Sequence, residues 1–420
     1  MSGTTLSEER SQVRIQGGGE VAQLSSVQSQ LDVALLTGGQ DRHYAFGLAM
    51  ALIAEGVGLD VIGSDLVDGP EMHVAPQLRF LNLYGSKQEA SIASKIKRTL
   101  VSYGRLVRYA AMAKPDIFHI LWNNKFEVFD RTLLMLYYKV LGKKIVVTAH
   151  NVNAGRRDSR DSLLNRLTLG AQYKLADHIF VHTKKMKDEL QELFQVRSAA
   201  ITIIPYGINN AVPDTDLTSA QAKQRLGIRD GERTVLFFGA IKPYKGLEYL
   251  VAAFQEIATV HGDYRLIIAG ERKKGSEEYL SAIQQTIGRD SSRKQIIQKI
   301  DFIPDDETEL YFKAADVAVL PYTEIFQSGI LFLAYGFGLP VIATDVGSFK
   351  EDIAEGRTGF VCKACDPDDL AATIQRYFES DLFQHLEQRR QEIRDYARSL
   401  HSWETVGNLT RDVYSGLLAR

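Results

Sequence analysis

Short apolar runs alternate with longer segments of helical period along most of the chain. In the first half the runs are LDVALLTGG, LDVIGS, RFLNLY, DIFHIL, KKIVVTAH, HIFVHT and AITIIPYG. In the second they are TVLFFGA, YRLIIAG, KIDFI, VAVLPY, PVIATDVG and GFVCKA. Between them lie stretches such as LEYLVAAFQEIA, where Leu247, Leu250, Val251, Phe254 and Ile257 recur at three and four residues and predict one apolar helix face. Continuously apolar strands alternating with helices predict parallel sheets covered on both faces. Each half is long enough for one doubly wound domain. The segment GINNAVPDTDLTSAQAKQRLGI is polar and turn-rich, which places a linker near Asn209 to Thr218. The expected layout is a leader over 1–29, domains over 30–210 and 211–385, and closing helices over 386–420 that return to the first domain.

Composition narrows the class without changing this picture. The 420 residues exceed one comfortable core, and 45% hydrophobic with 24% charged residues is the balance of a globular protein. A net charge of −2 gives no pull toward nucleic acid. No run approaches the roughly 20 apolar residues of a membrane span. The first 30 residues are polar and lack the apolar core of a signal peptide, so a disordered leader on a cytoplasmic protein is expected. Cys362 and Cys365 form a C-x-x-C, but no nearby Cys or His completes a zinc site, and a packed strand residue followed by a turn residue is expected. Asp214, Thr215 and Asp216 match a metal-binding D-x-D in outline. With no strand leading into them, capping or solvation is expected instead.

In open α/β sheets, ligands bind beyond the carboxyl ends of the strands. Three polar features fall at such ends. Gly38 and Gly39 close the first strand, where a tight turn or a close approach to phosphate would each suit glycine. Lys242 and Lys245 follow TVLFFGA on a loop before a helix, where two ammonium groups suit a diphosphate. Gln327, Ser328 and Gly329 open the apolar segment after VAVLPYTE, where backbone N–H groups and the helix dipole favour an anion. Together these features predict a diphosphate cradle that works without a metal.

Several stretches extend this into a resemblance. FFGAIKPYKGLEYLVAAF, LIIAGE, DFIPDDETELYFKAADVAVLPYTE, QSGILFLAYGFGLPVIATDVGSFKEDI and GRTGFVCKACDPDDLAATI resemble the nucleotide-binding domain of retaining GT-B glycosyltransferases of the bacterial group-1 type. TGGQDRHYAFGLAMALIAEG, KKIVVTAHNV, IIPYGIN and SWETVGNLTRDVY are similar to the first domain, the hinge and the returning helix of that family. The resemblance implies two Rossmann-like doubly wound domains facing across a cleft. It implies a metal-independent, retaining hexosyl-type transfer from a nucleotide-diphosphate-sugar, a co-substrate rather than a cofactor, in polysaccharide or glycolipid synthesis.

Carried over residue by residue, Lys245 matches the diphosphate-binding lysine, and Ser328 and Gly329 match the helix-start amides. His150 matches the histidine at the cleft edge, Gly39 the glycine turn, and Phe302 with Ile303 the nucleobase contact. Two positions depart from the family pattern. Ala240 stands where most relatives carry arginine, and Lys242 is the candidate to supply that charge instead. Ile325 and Leu333 stand where many relatives carry a pair of glutamates, so Glu324 is expected to bind the hydroxyls of the donor sugar, and nothing replaces the second glutamate, which usually holds the ribose. His150 is expected to orient the sugar or acceptor.

The acceptor is expected in the first domain, as a glycan or a lipid-linked sugar. Residues 91–114 carry Lys95, Lys97, Arg98, Arg105, Arg108 and Lys114 and no acid, with apolar residues at helical spacing. Peripheral contact with an anionic membrane is one reading of that segment, and a solvated helix face packed on the sheet is the other. A nucleotide-sugar epimerase and an inactive partner subunit are the alternative functions.

Overall fold

The computed structural model describes residues 31–39, 41–85, 91–157, 161–208 and 212–419. The leader and linker residues 209–211 lie outside the described residues. The first half builds a parallel sheet from β1 (Asp32–Leu36), β2 (Gly58–Gly63), β3 (Leu78–Asn82), β4 (Ile117–Ile120), β5 (Lys144–Thr148), β6 (His178–Val181) and β7 (Ile201–Ile203). Their order is β3-β2-β1-β4-β5-β6-β7. The second half builds β8 (Arg233–Phe238), β9 (Tyr264–Ala269), β10 (Ile296–Lys299), β11 (Val317–Leu320), β12 (Val341–Thr344) and β13 (Gly359–Cys362), in the order β10-β9-β8-β11-β12-β13. All pairings are parallel, with Val33 opposite Leu59 and Ile117, and Val235 opposite Leu266 and Val317. The order reverses between β1 and β4 and again between β8 and β11. Both reversals open a crevice at the carboxyl ends of the strands.

The helices used below are α1 (Arg42–Ala54), α2 (Ile92–Met112), α3 (Met135–Val140), α4 (Leu163–Leu175), α5 (Leu247–Val260), α6 (Asp305–Ala314), α7 (Gly329–Gly336), α8 (Leu386–Leu400) and α9 (Trp403–Leu418). α3 continues a short helix, Glu127–Phe129, through a π-helical turn, Asp130–Leu134. The predicted face of α5 is the buried one: Leu247, Leu250, Val251, Phe254 and Ile257 are at most 1% exposed. Burying each such side chain contributes about 1.5–3 kcal/mol.

Two elements differ from the sequence reading. The strand expected over KIDFI lies earlier, at Ile296–Lys299, in register with Leu266–Ala269. Asp301 ends it by accepting the N–H of Phe302 at 2.8 Å, so Phe302 and Ile303 lie on the loop before α6. Of the two closing helices, only α9 returns to the first half. α8 buries Ile393 and Ala397 in the second core, because its apolar positions meet that sheet's helices. α9 buries Val406, Tyr414 and Leu417 with Tyr44, Leu48 and Leu52 of α1. The Trp403 indole N–H donates to the Ile208 carbonyl at 2.7 Å. Its ring lies so close to Gly47 and Gly207 that a Cβ there would come within 2.2–2.3 Å of it, which excludes any larger residue at either position.

Candidate active site

The loop after β8 is held in place from beneath. Pro243–Lys245 form a single turn, and Gly246 follows at φ +65° with its Cα pressed on the Pro321 carbonyl, where a Cβ would lie 1.9 Å away. Only glycine fits that combination. The loop thereby ties the end of β8 to the end of β11 and leaves Lys245 buried. Its Nζ donates to the Tyr322 hydroxyl at 2.6 Å and stands 3.8 Å from that ring's centroid. Ser328 Oγ donates to the same hydroxyl at 3.4 Å. Thr344 Oγ1 donates to the Tyr322 carbonyl at 2.6 Å and fixes the residue that joins the two. The β8 loop and the start of α7 therefore meet at one tyrosine.

A cavity of about 410 Å³ opens there, lined by Lys245, Gln327, Ser328 and Gly329 on one side and by His43 and Tyr44 of the first half on the other. No side chain caps α7, since the Ser328 hydroxyl is turned to Tyr322. Gln327 Oε1 is buried without a partner. Ile303 and Leu333 contribute apolar wall. The cavity thus offers an ammonium group and an uncapped helix start, which suit an anionic ligand with an apolar neighbour. The two halves also touch directly across it: His43 Nε2 of α1 lies 3.1 Å from Asp305 Oδ1 at the start of α6. The Asp305 carboxylate raises the His43 pKa above its ordinary value against the opposing effect of burial.

The remaining expected residues lie elsewhere. Lys242 faces an open groove with Lys273 and Lys274 rather than the cavity that holds Lys245. Glu324 is exposed and faces a groove with Lys184 and Asp188, while its neighbour Ile325 reaches the cavity. The chain bends at Thr323 and Glu324, and Glu324, expected beside the donor sugar, does not line the cavity that holds Lys245. Phe302 is exposed and does not line the cavity, whereas Ile303 does. Gly38 (φ +58°) and Gly39 (φ +68°) are required by the chain itself. A Cβ on Gly38 would sit 2.7 Å from the Asn123 carbonyl, and one on Gly39 would sit 3.1 Å from Ser64 Oγ.

His150 lies behind Tyr44, edge-on at 4.6 Å between ring centroids, and lines a second cavity of about 250 Å³ beyond β4 and β5. Its Nδ1 is 3.1 Å from His182 Nε2, and His182 Nδ1 is 3.2 Å from the Ile204 carbonyl. A carbonyl only accepts, so His182 Nδ1 carries a proton. Burial lowers the pKa of His182 to about 4 and that of His150 well below its ordinary value, so both are neutral near pH 7. His182 Nε2 then accepts from His150 Nδ1–H. The His150 Nε2 that remains is a lone-pair acceptor, buried and without a partner.

The other two motifs are structural. Asp214 pairs with Lys313 at 2.8 Å, and Thr215 binds the Glu309 carboxylate through its N–H at 2.6 Å, tying the linker to α6. Cys362 is buried, with its thiol pKa pushed up to about 12 by burial, and Cys365 is exposed at φ +58°. Among the described residues no three His, Cys, Asp or Glu side chains gather as a metal cluster. Sequence reasoning missed Tyr322, His43, Asp305 and His182. Tyr322 had one available signal: a tyrosine at a strand end beside the crevice needs a partner for its hydroxyl.

Residues 218–400 match the family described as Glycosyl transferases group 1, and residues 37–212 match Glycosyltransferase Family 4. The chain belongs to the group-1 glycosyltransferases. An uncharacterized glycosyltransferase of Methanocaldococcus jannaschii is 27% identical over 237 residues, which is 55% of this chain and 58% of that protein. The D-inositol 3-phosphate glycosyltransferase of Corynebacterium efficiens is 23% identical over 391 residues, 89% of each chain. Anabaena HepE, solved in complex with UDP-glucose, superposes with a TM-score of 0.70 at 14% identity, covering 92% of this chain and 99% of that one. That likeness establishes the GT-B fold of this glycosyltransferase. No described helix is long and apolar enough to cross a membrane.

Proposed function

We propose that this glycosyltransferase moves a hexosyl group from a nucleotide-diphosphate-sugar to a hydroxyl of a glycan or lipid-linked acceptor, with retention of configuration and without a metal. The observation that carries this reading is the meeting of Lys245 and the uncapped start of α7 at Tyr322, in a cavity shared by both halves. Cleavage of a sugar–diphosphate bond builds negative charge on the leaving group. A buried ammonium and oriented backbone amides stabilise that charge without reorganising. The UDP-glucose complex of HepE supports a nucleotide-sugar as the donor. Retention rests on the family resemblance.

Lys245→Met keeps most of the packed volume and removes the charge. A charge-assisted bond is worth about 1.5–3 kcal/mol, so turnover falls roughly ten- to a hundredfold. Unchanged turnover would overturn the cradle. A thermal-shift panel of nucleoside diphosphates identifies the base, since a ligand that binds only the folded state raises the melting temperature. Conversion of the donor in the absence of acceptor would indicate an epimerase instead.

The exposed face of α2 supports a peripheral membrane contact. Ile96, Leu100 and Val101 are 42–61% exposed among Lys95, Lys97, Arg105 and Arg108, with no acidic residue on the helix. α3 joins α2 through the Tyr137 hydroxyl, which donates to the Val107 carbonyl at 3.2 Å, and it exposes Leu136 and Val140. An apolar surface set among cations fits an anionic bilayer, on which a lipid-linked acceptor would be met.

A further inference from the structure

We propose that the second cavity is the acceptor pocket and that it selects a neutral, hydroxyl-bearing ring over a phosphorylated or carboxylated one. This rests on the transfer reading above and adds the chemistry of the acceptor. Four polar atoms of residues lining the cavity are buried without partners: Asn123 Oδ1, Asn124 Oδ1, His150 Nε2 and Arg131 Nε. Buried polar groups are almost always paired, so four orphans around one cavity mark a place built for a ligand.

The chemical sense of three of these atoms is fixed by their neighbours. Asn124 Nδ2 donates to Asp130 Oδ1 at 3.2 Å, and the carboxylate only accepts, so the free end of Asn124 is its oxygen. Asn123 bonds Gln172 at 3.2 Å, amide to amide, and in such a pair either residue can be the donor, so the free end of Asn123 can serve as acceptor or donor. The His182 relay leaves His150 Nε2 as a lone pair. Arg131 sits on the π-helical turn, where its Nη1 donates to Asn165 Oδ1 at 2.9 Å and its Nη2 meets Glu127 Oε2 at 2.5 Å. Its charge is thus matched by Glu127, and Nε–H remains as a donor. The cavity therefore presents two acceptors, one donor, the free end of the Asn123 amide and no uncompensated cation. A ligand that satisfies it must supply several hydrogens, as a ring of hydroxyl groups does. A phosphate or carboxylate supplies none when ionised and would face the lone pairs of Asn124 and His150. The volume of about 250 Å³ lies below the roughly 300–1,000 Å³ of pockets for drug-sized ligands, which suits one ring.

The test uses the intact protein at pH 8 and ligand-observed saturation-transfer NMR, with and without the nucleoside diphosphate that most raises the melting temperature. The probes are myo-inositol and methyl α-glucopyranoside against inositol 1-phosphate and glucose 6-phosphate. The neutral polyols are expected to bind at least roughly tenfold more tightly than the esters. Asn124→Leu and Asn123→Ser are each expected to weaken polyol binding about tenfold while nucleoside-diphosphate binding holds, which shows that the fold is intact. Esters that bind as well as the polyols, variants that bind polyol unchanged, or a wild type that binds no polyol would each overturn the proposal. If nucleoside diphosphates bind and polyols do not, the pocket assignment alone fails. If no nucleoside diphosphate binds, the donor reading fails and the polyol arm still judges the pocket.

Discussion

His182 lines neither of the two cavities described above, yet it decides what His150 offers to one. Replacing it with phenylalanine removes the acceptor for His150 Nδ1–H and the donor to the Ile204 carbonyl. The unpaired carbonyl costs about 1–3 kcal/mol of stability, measurable by chemical denaturation. The second consequence is specific to the relay. In the wild type the ¹⁵N resonance of His150 Nε2 is expected in the unprotonated range, and in His182→Phe it is expected to move toward the protonated range as the other tautomer is populated. A purely structural role for His182 would leave that resonance in place. Residues of this kind are hard to see in a sequence. Lys245, Gln327, Ser328 and Ile303 were legible because a strand end followed by a loop fixes where they lie. Tyr322 and His182 act through partners brought by other strands, which no local pattern records. For Glu324 the position along the chain was readable but the direction of its side chain was not.

The lysine loop and α2 carry predictions of a different size. Gly246→Ala forces a residue with a Cβ into φ +65° against the Pro321 carbonyl. The conformation alone costs about 1–3 kcal/mol, and relieving the overlap moves the loop off β11. Global stability is expected to drop by at least that amount in denaturant titration, with nucleoside-diphosphate affinity falling because Lys245 moves with the loop. For α2, the wild type is expected to co-sediment with anionic vesicles at low salt and not with neutral ones. Changing Lys95, Lys97, Arg105 and Arg108 to glutamine removes four exposed charges. At about 1 kcal/mol each near an anionic surface, binding weakens by roughly a thousandfold. Absence of wild-type sedimentation removes the membrane reading. Strands and helices of this size were legible because apolar period and length agree in each. β10 was displaced in the sequence reading because Ile300, Phe302 and Ile303 continue the apolar signal past Lys299, while the Asp301 turn that ends the strand is a single side-chain bond. α8 and α9 were read as one unit because both are amphipathic, and only packing separates the core that each serves.

Across the whole molecule, two doubly wound halves could be read from the alternation of elements, but the contact between them could not. His43 and Asp305 are 262 residues apart and belong to no shared pattern. That contact makes closure of the cleft sensitive to pH. His43 is raised above its ordinary 6.5, first by its bond to Asp305 and then by the charges of Asp305 and Asp41, against burial and Arg42. Its contribution is therefore complete below 6.5 and is lost as pH rises through the higher value of the closed form. Asp305 is lowered from 3.8 by the same partner, so its contribution is present above 3.8 and is lost only as pH falls through the lower value of the closed form. The pair holds best between those limits. Global stability runs the other way. His119, His182 and His401 are held neutral by burial at about 3, 4 and 4, so on acidification below 6.5 the unfolded chain takes up protons first and the fold weakens. Acidification from pH 8 to pH 6 should therefore lower the melting temperature while drawing the halves together, read as a smaller radius of gyration by small-angle scattering. Both His43→Gln and Asp305→Asn should abolish the change in radius and leave the fall in melting temperature. A wild-type radius that does not vary over this range would show that the contact does not govern closure.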